Sequence, residues 1–123
     1  MAIRRQTQTV LASAARTATV VSPVLSAEQV IASTFVIDVT AVTATPAITA
    51  TIEGKDPVSG SFYTILVDAA VSTVSRTFLQ VGHTITAAAN VAANNFLPSE
   101  YRLTVAHGDT DSITYSISAI HMV

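Results

Sequence analysis

The sequence predicts an all-β fold, an antiparallel sandwich of two sheets preceded by an extended N-terminal arm. Three observations predict it. Half of the residues are hydrophobic, yet only 6% are aromatic and tryptophan is absent. The apolar part is mostly alanine, valine and isoleucine, with threonine and serine supplying much of the polar remainder. Side chains that are stiff at χ1 pack well on a pleated surface. Alternation of period two then recurs in stretches separated by short turn signals, the mark of half-buried strands.

The 123 residues fit one domain, and a chain of this length can bury roughly two thirds of its unfolded surface without disulfide or metal staples. Residues 1–16 are expected to form the arm and 17–123 the sandwich. Arg4 and Arg5 precede an apolar stretch, Val10 to Ala15, but Gln6, Thr7, Gln8, Thr9 and Ser13 interrupt it, so a secretory signal is not expected. No stretch approaches the roughly 18 to 20 uninterrupted apolar residues of a spanning helix, so no membrane partner is expected.

Thr17 to Ser22 is a Thr/Val run closed by Pro23, and Ser26 to Ile31 is a connecting piece that could form a helical turn. Phe35 to Val42 is the strongest strand. It places Phe35, Ile37, Val39 and Ala41 on the face expected in the core. Ala47 to Lys55 alternates again, with Ile48, Ala50 and Ile52 on one side. In the turn Asp56-Pro57-Val58-Ser59-Gly60, proline presets φ, aspartate bonds the backbone two residues on, and glycine takes the left-handed position. Ser61 to Val67 should pair back on the preceding strand. Val71 to Val81, ended by Gly82, is a strand of poorly specified register with Val74, Arg76, Phe78 and Gln80 on one face. Thr84 to Asn95 reads as a short helix or an ordered loop. Glu100 to His107 places Tyr101, Leu103 and Val105 on one face, and Gly108 to Asp111 turns the chain. Ser112 to Val123 is the last strand, with Ile113, Tyr115, Ile117, Ala119 and His121 on one side. About seven strands at this spacing suggest an immunoglobulin-like or jelly-roll-like sandwich, with an up-and-down barrel as the alternative.

Charge is uneven. The first 27 residues contain Arg4, Arg5 and Arg16 and no acid, which makes them +3; the remainder has three bases against eight acids, which makes it −5, and the two recover the net −2. Phosphate binding needs clustered lysine and arginine, and the body has no such cluster, so nucleic acid is not an expected partner. The three arginines are the candidate partner-binding residues, either as a tether to an acidic neighbouring subunit or as a solvated tail.

Candidates for chemistry are few, and neither a catalytic site nor a metal or cofactor site is expected. Zero cysteines remove thiol nucleophiles and cysteine-based metal sites. His83, His107 and His121 lack ligand spacing and read as strand-end histidines on the surface or at a subunit contact; a hairpin at 108–111 would keep His107 far from His121. Asp109 and Asp111 lack the further oxygen ligands of a calcium loop and read as turn caps. Asp38, Glu53 and Asp68 read as solvent-facing charges on separate strands. No GxSxG, GxGxxG or GxxxxGK[ST] occurs, so an enzyme is not expected. The seven aromatics could form a sugar-stacking platform, but with so few of them the core is expected to need them.

Three segments are more specific: Ile-Glu-Gly-Lys-Asp-Pro-Val-Ser-Gly-Ser-Phe-Tyr-Thr-Ile-Leu at 52–66, Asn-Val-Ala-Ala-Asn-Asn-Phe-Leu-Pro-Ser-Glu-Tyr-Arg-Leu-Thr-Val-Ala-His-Gly-Asp at 90–109, and Ser-Ile-Thr-Tyr-Ser-Ile at 112–117. Together they resemble a family of small virion structural proteins of tailed bacteriophages, over roughly residues 33–123. Tyr101-Arg102 stands where that pattern often has Trp-Arg. The resemblance implies a non-enzymatic part of the virion with no catalytic residues to transfer. It points first to a capsid decoration (cement) protein that binds the major capsid protein and copies of itself, with a trimer favoured. A head–tail connector or tail component is the alternative, and a carbohydrate-binding or adhesive module is a further one.

Overall fold

A computed structural model describes residues 4–123 and shows two sheets packed face to face. In chain order the strands are β1 (Arg5–Arg16), β2 (Val20–Val21), β3 (Leu25–Ser26), β4 (Ala32–Val42), β5 (Ile48–Lys55), β6 (Phe62–Val67), β7 (Ser75–Gly82), β8 (Ala92–Asn94), β9 (Glu100–His107) and β10 (Ile113–Met122). The first sheet has the order β1-β10-β4-β7-β8, and the second has the order β2-β9-β5-β6 with β3 also on β9. All pairings are antiparallel except β7 with β8.

Alternation decides which side chains enter the space between the sheets. Phe35, Ile37 and Val39 of β4, Leu79 and Val81 of β7, and Ile113, Tyr115, Ile117 and Ala119 of β10 face Ile48, Ala50 and Ile52 of β5 and Tyr101, Leu103 and Val105 of β9. All are buried, as one sandwich core requires. Ala41, expected among them, is exposed. Thr40 is an extra residue between the pairs Val39–Tyr115 and Ala41–Thr114. This bulge reverses the phase, so that Val42 packs on the core in place of Ala41.

The segment expected as an arm is, from Arg5 to Arg16, a twelve-residue edge strand of the first sheet; Met1 to Ile3 lie outside the described residues. It pairs with β10 from Arg5–Met122 to Arg16–Ile113, with register shifts after Thr9 and after Leu11. The shifts turn the neighbours Val10 and Leu11 both into the core, which no regular strand would do.

Other connections also differ from the sequence expectation. Residues 108–112 do not close a hairpin, because β9 lies in the second sheet and β10 in the first. The 84–95 stretch is turns leading into the short parallel strand β8, and the 26–31 piece is the end of β3 followed by a turn at Glu28 and Gln29, with no helix in either. The β5–β6 turn forms as expected: Asp56 Oδ1 accepts the Val58 amide at 3.0 Å, and Gly60 has φ +76°.

Candidate interaction face

The two outer faces of the sandwich carry different side chains. On the second sheet, Glu53 accepts from Arg102 Nε at 2.9 Å and from the Thr104 hydroxyl at 2.7 Å. The Arg102 guanidinium lies 3.8 Å from the centre of the Phe62 ring, and Lys55 pairs with Glu100 at 3.3 Å. Burial alone would raise the Glu53 carboxyl, but the Thr104 and Arg102 bonds outweigh it and hold it below its ordinary range. Charges arranged this way suit a face in contact with water.

The outer face of the first sheet is built of cross-strand rows set by register: Arg5, Met122, Ala32 and Gly82; Thr7, Ile120, Thr34 and Gln80; Thr9, Ser118, Val36 and Phe78; then Ser116, Asp38 and Arg76. Arg5 and the Asp38–Arg76 pair, 3.4 Å apart, are the charges of these rows. Phe78 is 52% exposed, Met122 40% and Ile120 39%. Exposed aromatic, methionine and aliphatic side chains among hydroxyls, with charge confined to the margins, form the composition of a contact surface.

The sequence-singled arginines are spread along β1. The Arg4 backbone exchanges hydrogen bonds with Val123, N to O at 3.0 Å and 2.8 Å, and Arg5 sits at the margin of the face. Arg16 lies at the other end of the strand. It donates to the carbonyls of Tyr115 at 2.7 Å, Ala12 at 2.6 Å and Ala14 at 3.3 Å, with its guanidinium 4.6 Å from the Tyr115 ring centre. The three are not gathered into one cluster.

His83 is exposed and His107 half-buried, but His121, expected on the surface or at a subunit contact, is 1% exposed. Its Nδ1 meets Ser33 Oγ at 2.7 Å and its Nε2 meets Gln8 Oε1 at 2.7 Å. Gln8 Nε2 donates to the Ser26 carbonyl at 2.8 Å, so its amide oxygen faces inward. The imidazole therefore donates from Nε2, and burial, which lowers its pKa, favours the neutral form that accepts from Ser33 at Nδ1. The Tyr101 hydroxyl also donates to Gln8 Oε1. Phe35, Tyr101 and His121 stack edge to face, with ring centres 5.7–6.2 Å apart. Alternation puts His121 on the inner face, but its partner Gln8 lies 113 residues away in the segment read as an arm.

Asp68, expected to face solvent, is buried, and its Oδ2 has no hydrogen-bond partner among the described residues. Desolvation raises its carboxyl, with the Ala69 amide opposing. Asp109 caps its own loop by accepting the Asp111 amide, whereas Asp111 Oδ2 reaches across to accept the Thr45 amide of the β4–β5 connection. No cluster of three metal-ligating side chains occurs among the described residues, and none of their helices is long and apolar enough to cross a membrane. Not all aromatics serve the core: Phe35, Tyr101 and Tyr115 are buried, while Tyr63, Phe78 and Phe96 are exposed.

No family model matches the chain, and no curated protein or solved structure matches it significantly. Gly54, Tyr63, Pro98 and Tyr101 meet in space. A Cβ on Gly54 would lie 2.7 Å from Pro98 Cγ and 2.8 Å from the Tyr63 ring, and Gly54 pairs with both Tyr63 and Tyr101. These motif residues hold β5, β6 and the start of β9 together, so they are a packing signature.

Proposed function

We propose that the chain is a non-enzymatic structural protein of a tailed-bacteriophage virion, a decoration protein of the head. It docks on the major capsid protein and on copies of itself through the outer face of the first sheet. The observation that carries this reading is the exposure of Phe78, Ile120 and Met122 among hydroxyls on a face whose charges are Arg5 and the one pair Asp38–Arg76. A sheet face of threonine, serine and aliphatic side chains desolvates at small cost, and weak contacts repeated over a lattice add up to firm attachment. The motif segments at 52–66, 90–109 and 112–117 supply the virion context.

Heads lacking this protein, mixed with the purified chain and sedimented, test the proposal. Phe78→Asp should cut occupancy by ten-fold or more, because a carboxylate would be desolvated within the contact. Thr64→Lys, on the opposite sheet, should bind as the wild type does. Equal occupancy of wild type and Phe78→Asp would refute the assignment of the face.

A further inference from the structure

A cleft of about 450 Å³ opens at one end of that outer face. Its floor is Ala32, Thr34, Gln80 and Gly82, its apolar walls are Ile31, Ile85, Ile120 and Met122, and Arg5 and His83 stand at its margin, with no acid in the lining. The Ile85 wall is fixed by the absence of a side chain at Gly82, where a Cβ would lie 2.6 Å from Ile85 Cδ1. Lys55, Arg76 and Arg102 are held in ion pairs and Arg16 by carbonyls, whereas Arg5 makes no ion pair among the described residues.

The β5–β6 turn is the complementary shape. Val58 at its tip is 95% exposed, next to a carboxylate, Asp56, and held by that carboxylate's bond to its amide. An apolar knob beside an acid matches an apolar cleft beside an uncommitted guanidinium. We infer that the cleft of one copy receives the Val58 turn of a second copy, with Asp56 facing Arg5.

One copy cannot fill its own cleft, because the turn belongs to the second sheet and the cleft opens on the far side of the first. Both lie at the same end of the sandwich: Gly54, next to the turn, pairs with Tyr101, and Tyr101 bonds His121 beside the cleft strand. Copies can therefore join face to back with little shift along the strands. Such a heterologous contact closes into a ring when the rotation between copies closes, and otherwise extends as a filament. This inference does not depend on the virion role.

The chain has no cysteine, so paired cysteines report the contact cleanly. Val58→Cys chains mixed with Ile120→Cys chains at high concentration and mildly oxidised should give disulfide-linked heterodimers. The double variant should give a covalent ladder of two or more linked chains. Both sites are solvent-accessible, and circular dichroism verifies that each variant folds. Absence of mixed-chain crosslinks, or crosslinks only between like positions, would overturn the contact even if the chain binds heads. A ladder in free solution without head binding would uphold the contact and leave the virion role refuted.

Discussion

Deleting residues 1–16 should abolish the folded monomer, giving aggregated or unfolded protein in gel filtration and no cooperative urea transition. The segment is the edge strand of the first sheet, and its loss has three consequences. Val10 and Leu11 leave the core, at about 1.5–3 kcal/mol for each buried aliphatic side chain. Loss of Gln8 leaves His121 Nε2 and the Tyr101 hydroxyl without their shared acceptor, and an orphaned buried polar group costs about 1–3 kcal/mol. The ten-residue strand β10 becomes a bare edge of unpaired amides and carbonyls. These terms together rival the whole stability of a typical domain, about 5–15 kcal/mol. A truncated chain with the urea midpoint of the full chain would show that β1 is dispensable. Gln8→Ala isolates the polar part and should lower stability by about 1–3 kcal/mol.

Acid should destabilise the fold as its buried histidines are forced to take up protons. Burial lowers the pKa of His121, and burial, helped by the Arg16 guanidinium and opposed by Asp109, lowers that of His107. Unfolded histidine titrates near about 6.5, so below that pH the unfolded chain binds more protons than the folded one. Stability is thus complete above about pH 7 and falls as pH drops through 6.5 toward the lower folded values. At His121 the groups facing the ring are Ser33, Gln8, Tyr101 and Phe35, none of which can neutralise a second proton. Protonating Nδ1 would also make the Ser33 hydroxyl reverse its hydrogen bond. Urea midpoints measured from pH 8 to pH 5 should decline, and His121→Phe should flatten the decline while lowering the midpoint at pH 8. A midpoint constant from pH 8 to pH 5 in the wild type would show that these imidazoles titrate alike folded and unfolded.

The regular strands were legible because period two and the core face coincide in them. Ile48, Ala50 and Ile52, then Tyr101, Leu103 and Val105, then Ile113 to His121 alternate without interruption, and all of these are buried. β1 was illegible for a physical reason: its threonines, glutamines and alanines have little apolar contrast, and two register shifts break what alternation remains. Likewise the turn residues of Gly108 to Asp111 suit a hairpin and a crossing between sheets equally well, so the pairing of β10 with β1 and β4 could not be read from them. Of the candidate face, composition announced the scarcity of charge. The gathering of Phe78, Ile120 and Met122 with hydroxyl side chains on one outer face required the register of β4, β7 and β10. The three arginines stood out by charge, yet the role of Arg16 depends on Tyr115, 99 residues away.

Hydroxyl-radical footprinting of the chain, free and bound to phage heads, tests most directly the claim that the first sheet's outer face is the contact surface. Phe78 and Met122 on that face are both reactive and exposed in the free chain, as is Tyr63 at the edge of the other sheet. The account predicts that oxidation of Phe78 and Met122 falls several-fold on binding while Tyr63 and Phe62 keep their free-state rates. Protection of Tyr63 and Phe62 with Phe78 still reactive would contradict it.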